Sequence, residues 1–194
     1  MVLAIFDFDG TITSRDSFRH FLQYAFTKFE VYRGLVVLSP VLIAYMLGLL
    51  PANAAKQKVF AHFFQGWTSE KFASLAEKYS SVEIGKIVRP QALQRIQWHQ
   101  DQGHKVVVAS ASIKSWLDNW CKSQAVDLVS TEIEMQNEIL TGRFRTPNCR
   151  GSEKVNRLKD RFDLSEFDYV YAYGDSSGDK EILQLADEKF YRYF

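Results

Sequence analysis

Two acidic segments have the residue types and spacing for metal-assisted phosphoryl chemistry. The first is Asp7-Phe8-Asp9-Gly10-Thr11, which closes an apolar run that starts at Val2. On an extended strand Asp7 and Asp9 point to one side and Phe8 to the other. Two carboxylates so close repel each other, and a bound cation or a proton on one of them relieves the repulsion. Hard oxygen donors suit Mg²⁺, which also coordinates phosphates. The second segment is Gly174-Asp175-Ser176-Ser177-Gly178-Asp179, directly after the aromatic run 169–173. Asp175, at the end of that run, can reach a metal held by Asp7, and Asp179 falls near the start of the next helix. Either segment alone also reads as an acidic turn. The two together, both at ends of apolar strands, are the stronger signal, because open α/β sheets bind ligands at the carboxyl ends of their strands.

Two further positions complete a phosphate site. Ser110 ends the β-branched run 105–109. Its hydroxyl and the N–H groups of Ala111 and Ser112, at the start of the next helix, are suited to phosphate oxygens. Ser112 is assigned the helix cap and Ser110 the ligand role. Lys154 follows the candidate N-cap Ser152 and so falls in a first helical turn, the unfavourable end for a cation. A phosphoryl group, Asp7 or Asp179 would offset that cost, and Arg150 is the rival for the role. Arg143 and Arg145 either draw an anionic substrate or form a solvated hairpin face. The inventory predicts that Asp7 attacks phosphorus, that Mg²⁺ and Lys154 stabilise the equatorial oxygens, and that Asp9 works as general acid and then base. Asp175 completes the metal set with Asp7 and Asp9, while Asp179 holds the lysine or an outer-shell water.

These residues need a sheet to bring them together. Apolar runs at 2–8, 105–110 and 169–173 predict buried strands, with further strands at 127–129 and 190–194. Helices are expected at 91–102, ended by Gly103, from Ser112 through Cys121, at 152–162 and at 179–186. Residues 130–144 read as a hairpin around Asn137-Glu138. Strands alternating with helices imply a three-layer α/β core of Rossmann-like type, with a mostly parallel sheet. Residues 16–79 are helical in texture and aromatic. The predicted division is therefore a core of 1–14 and 88–194, with an all-helical cap at 15–87 inserted after the first strand.

Length and composition set outer limits. The chain of 194 residues, 46% apolar and 24% charged, suits one core and a small second lobe. A net charge of +1 argues against nucleic acid as a partner, which demands a concentrated basic excess. Cys121 and Cys149 are too few for a disulfide framework and fit reduced thiols in a cytoplasmic protein. The N-terminus reads as a first strand, since Asp7 interrupts its apolar run. The four histidines have no metal-ligand spacing. One stretch resists a plain soluble reading: residues 34–50 carry no charge. They fall just short of the roughly 20 residues that a membrane span needs and contain Pro40. They read either as the buried core of a helical cap or as a surface that docks on a bilayer or encloses an acyl chain.

The segments FDFDGT at 6–11, VVVASAS at 106–112, GSEK at 151–154 and YGDSSGD at 173–179 resemble, in this order, the haloacid dehalogenase superfamily of phosphatases. The similarity spans nearly the whole chain. The resemblance implies Mg²⁺ as cofactor, Asp7 as nucleophile, Asp9 as acid/base that also offers its backbone carbonyl to the metal, Ser110 as phosphate ligand, Lys154 as the charge-stabilising lysine, Asp175 as metal ligand and Asp179 as the last acidic position. A helical insert after the first motif is similar to the phosphoserine phosphatase-like branch, in which an acidic residue near Asp16 meets a substrate amine. The apolar stretch 34–50, RDSF at 15–18 and FYRYF at 190–194 are more similar to bacterial C-type phosphatidylglycerophosphatases. That likeness implies a lipid phosphate as substrate and a place at the cytoplasmic face of the inner membrane. Three readings follow: a lipid phosphatase with peripheral membrane contact through 34–50, a soluble small-molecule phosphatase with phosphoserine as one candidate substrate, or a non-catalytic membrane-binding or interaction protein. Oligomeric state is left open.

Overall fold

The computed structural model describes residues 1–194. Its centre is a five-stranded sheet of order β3-β2-β1-β6-β7, in which all four pairings are parallel. The strands are β1 (Val2–Phe6), β2 (Lys105–Ile113), β3 (Asp127–Thr131), β6 (Tyr169–Gly174) and β7 (Glu188–Tyr191). β1 is central and its apolar run is covered on both sides, as expected for a parallel sheet. Alternation assigns its side chains to two cores. Leu3 and Ile5, with Val107 and Ala109 of β2, pack with Leu158 and Ile182. Ala4 and Phe6, with Val106 and Val108, face the opposite way. Leu158 belongs to α8 (Ser152–Arg161) and Ile182 to α9 (Lys180–Leu185), which cover the first face. α6 (Pro90–Asp101) and α7 (Lys114–Ser123) cover the second with Ile96, Trp116 and Leu117. This is the three-layer α/β architecture that the strand–helix alternation predicts.

Between β1 and α6 the chain forms five α-helices, α1 (Ser17–Ala25), α2 (Lys28–Val37), α3 (Ser39–Met46), α4 (Ala52–Phe64) and α5 (Ser69–Lys78), and then a π-helical turn at Tyr79–Glu83 and a 3-10 turn at Ile84–Lys86. Capping fixes several of their starts. Asp16 caps α1, and Thr27 with Glu30 forms a capping box on α2. The insert shares its core with the sheet's second face. Phe21 stacks on Trp116 at 4.6 Å and Phe18 lies 5.8 Å from the same ring. Phe60, Phe64 and Phe72 extend this aromatic cluster into the insert. Each such side chain contributes roughly 1.5–3 kcal/mol when fully buried.

The hairpin lies outside the main sheet. β4 (Ile133–Gln136) and β5 (Ile139–Phe144) pair antiparallel, and Asn137 and Glu138 both take positive φ, 49° and 61°, as a tight two-residue turn demands. Three expectations need correction. β2 runs on to Ile113, so Ser112 is extended and caps nothing; the N-cap of α7 is Ile113, without a side-chain bond. The last strand is Glu188–Tyr191, not 190–194, because it pairs with β6 from Tyr171 to Gly174, where β6 ends opposite Tyr191. Residues 34–50 are not a buried cap core. They form α2's end, α3 and the following turn, and only Gly34 and Leu38 among them are buried.

Candidate active site

The site forms where β1 and β6 end. The ladder continues one residue past β1, since the Asp7 N–H donates to the Tyr173 carbonyl at 2.9 Å. Asp175 is the first residue beyond β6. Between them Gly10 turns the chain with φ +87°, and a Cβ there would collide with the Asp175 carboxylate. The glycine of the first motif is therefore required twice, by its conformation and by the approach of the second motif.

Asp7, Asp175 and Asp179 place carboxylate oxygens within 4.8 Å of one another. Lys154 reaches into this group from α8, 2% exposed. Its Nζ donates to Asp7 Oδ1 at 2.5 Å and to Asp179 Oδ1 at 2.6 Å. Burial opposes its charge, but the two carboxylates prevail and hold its pKa above the ordinary lysine value. The rivalry with Arg150 is thereby resolved in place: Lys154 meets Asp7, whereas Arg150 is exposed at the rim and donates to Ser177 Oγ. Asp179 is saturated. Its other oxygen accepts from the Ser176 N–H and hydroxyl at 3.0 and 2.8 Å. Burial pushes its carboxyl up, yet Lys154 and Ser176 hold it below the usual carboxylate range. Burial pushes Asp7 up to about 7, against the pull of Lys154 and with help from Asp179.

The donor chemistry fits a hard divalent cation. Three carboxylates crowd one ammonium, and Asp175 Oδ1 is buried without any hydrogen-bond partner. Burial and Asp179 raise the Asp175 pKa, and a cation beside it would reverse that shift.

Asp9 departs from the strand alternation. β1 ends at Phe6, so alternation no longer governs its side chain. The carboxylate turns away from the acidic group and accepts from Ser112 Oγ at 2.5 Å and from the Ser17 N–H at 2.7 Å. The third carboxylate of the cluster is Asp179, not Asp9. Burial, reinforced by Asp16, raises the Asp9 pKa and so favours its protonated form. Ser112 thus orients Asp9, a role that sequence reasoning misread as capping.

These groups line a cleft of about 570 Å³, together with Asp16, Lys56, Ala111 and Arg150. Phe18, Leu42, Tyr45 and Val59 give the cleft an apolar wall on the insert side. Ser110 is buried behind the cleft and its hydroxyl accepts from the Ser112 N–H at 3.0 Å. Asp16 stands at the mouth, where it caps α1 by accepting from the Arg19 N–H. Lys56, on α4, escaped the sequence assignment. Its Nζ donates to the Ala111 carbonyl at 2.8 Å, and burial lowers its pKa despite Asp9 and Asp16. The available signal was its position as the first charge after the uncharged stretch. Arg143 and Arg145 do not reach the cleft. Arg143 lies beside the outer hairpin groove, and Arg145 pairs with Glu132 at a separate depression of about 700 Å³. That depression holds ions already paired, such as Lys114 with Asp118.

Comparison with known proteins agrees with this geometry. Residues 4–184 match the haloacid dehalogenase-like hydrolases. Protein CicA of Caulobacter vibrioides is 33% identical over 100% of this chain and 86% of its own length. A protein of unknown function from Bordetella pertussis Tohama I superposes with a TM-score of 0.84 at 21% identity, covering 97% of this chain and 88% of that one. A phosphoserine phosphatase solved as a phospho-aspartyl intermediate analogue gives a TM-score of 0.66 at 18% identity, over 96% and 84%. These two structural likenesses bear on the fold.

Proposed function

The chain belongs to the haloacid dehalogenase-like hydrolase family, and from that premise we propose that it is a Mg²⁺-dependent phosphomonoester hydrolase working through a phospho-aspartyl intermediate. One observation carries the reading: a buried lysine clamped between Asp7 and Asp179, beside an Asp175 oxygen with no partner. In this scheme Asp7 attacks phosphorus and the bond to the ester oxygen breaks. Asp9 gives its proton to the departing alcohol, then takes one from the water that attacks the phospho-aspartate. That second step releases phosphate and restores Asp7. Lys154 meets the charge on the phosphoryl oxygens, and Asp179 keeps the lysine in place. The Ala111 N–H is the phosphate donor at the cleft wall, with Ser110 supporting it from behind. Asp7, Asp175 and the Asp9 backbone carbonyl would hold Mg²⁺, which when bound neutralises phosphoryl charge.

The proposed substrate is a phosphomonoester with an apolar body, a lipid phosphate such as phosphatidylglycerophosphate. Phe18, Leu42 and Tyr45 at the cleft, continuous with the exposed stretch 34–50, support it. In this scheme residues 15–87 act as the specificity cap, 1–14 and 88–194 as the catalytic core, and the protein works at the cytoplasmic face of the inner membrane. Asp16 at the cleft mouth favours a second reading, a phosphatase for a small amine-bearing substrate such as phosphoserine. A substrate panel with and without Mg²⁺ decides between them. Detergent-dispersed phosphatidylglycerophosphate should turn over much faster than phosphoserine, and only with Mg²⁺. Equal or reversed rates would remove the lipid reading. No hydrolysis of any ester would leave the non-catalytic alternative.

A further inference from the structure

The apolar wall of the cleft has an outer side. α3 presents Leu42 and Tyr45 to the cleft, yet none of its residues is buried. A helix that is apolar all round normally lies inside a protein. Here the exposed large hydrophobic side chains concentrate between Phe29 and Leu49, and the tip is the barest part: Met46, Leu47 and Leu49 are 73%, 68% and 77% exposed. No single helix there is long and apolar enough to cross a membrane; α2 and α3 pass that test only as a pair, by length and composition, and they are bent by 62° at their junction.

Charge is distributed to match. Between Ser17 and Ser69 the basic residues are Arg19, Lys28, Arg33, Lys56 and Lys58, against the single acid Glu30, a net +4. The whole chain is +1, which leaves −3 on all the rest. Glu30 is itself tied to Thr27 in the α2 capping box. Lys28 and Arg33 stand exposed on α2 itself and Lys58 on α4, whereas Lys56 lines the cleft. Two copies of so basic a face repel each other, whereas an anionic surface attracts it.

We propose that the α2–α3 elbow docks on an anionic lipid bilayer, its tip inserted shallowly among the headgroups and the cleft mouth turned to the membrane. The bend and the shortness of α3 suit insertion in the interface plane rather than a span. This deepens the lipid-phosphate reading and rests on it for the use made of the surface: a phosphate ester would reach Asp7 from the bilayer without its acyl chains entering water.

Vesicle flotation tests the idea, using phosphatidylcholine alone and phosphatidylcholine mixed with phosphatidylglycerol. Wild type should float with the anionic vesicles. The double variant Leu47→Asp, Leu49→Asp, changed at two exposed positions outside the cleft, should partition at least about tenfold less. It should hydrolyse water-soluble p-nitrophenyl phosphate at the wild-type rate. Equal flotation of variant and wild type overturns the proposal, as does a wild type that floats with neither vesicle. A protein that sediments as a dimer in buffer, and becomes a monomer in the variant, assigns the elbow to self-association and also overturns it. Failure of the wild type to hydrolyse p-nitrophenyl phosphate would sink the phosphatase reading and leave the flotation result to stand on its own.

Discussion

The Lys154 triangle and the α2–α3 elbow obey opposite rules of solvation. In the triangle every charge is out of water and almost every lone pair is engaged: Lys154 bridges Asp7 and Asp179, and Ser176 completes Asp179. In the elbow, apolar side chains stand in water with nothing over them. On the proposed lipid-phosphate reading, the difference separates chemistry from selection. Phosphoryl transfer needs fixed charges in a dry place, where electrostatics is strong and reorganisation small. Choosing an amphiphilic substrate needs an apolar surface left open until something arrives to cover it.

The largest expected break in this comparison comes from Asp7→Asn. Turnover should fall by at least about 10⁴-fold. The melting temperature of the metal-free protein should stay level or rise, because burial already favours an uncharged group there. A steady-state assay beside a thermal melt checks both, and surviving turnover would take Asp7 out of its role.

Lys154→Met is next. It leaves Asp7 and Asp179 buried without their cation, at a cost of about 3–5 kcal/mol in denaturant melts. Introducing Asp7→Asn into that variant should recover part of the loss, since one uncompensated charge is gone. Strict additivity in this double-mutant cycle would mean that the triangle is not a coupled unit.

His99 supplies the smallest effect and a control outside both regions. It is buried against Tyr173, with Nε2 2.9 Å from the phenol oxygen. Burial, with Arg95 and His104, lowers its pKa to about 3. The unfolded chain takes up a proton near pH 6.5 and the folded one does not, so stability held above that pH drains away as pH falls toward 3. His99→Phe should flatten this acid slope in urea titrations and leave vesicle flotation untouched. An unchanged slope would assign the acid sensitivity elsewhere.

Much of the fold was legible because its signals are local. β1 and β6 are apolar runs stopped by Asp or Gly, β2 opens on a β-branched run after Lys105, Gly103 ends α6, and Asn137-Glu138 turns the hairpin. Of the site, the acidic strand ends and Lys154 were legible because each follows from what precedes it in the chain. The remainder depends on contacts across the chain. How far β2 extends decides whether Ser112 caps a helix or holds Asp9, and nothing near residue 112 shows it. Hydropathy identified 34–50 as apolar but carries no information on which side faces water. Lys56 meets Ala111 across 55 positions, and the arginines of the hairpin look as basic in sequence as any that reach a phosphate.

The aromatic stacking between insert and sheet bears on engineering. Phe21 and Phe18 of α1 both stack on Trp116 of α7, at 4.6 and 5.8 Å, so the two halves are cut from one piece of packing. A chimera that transplants the insert onto a related scaffold must bring Trp116 of α7 with it. Without it the graft leaves Phe18 and Phe21 with no ring to stack on, and the seam between insert and sheet loses its packing.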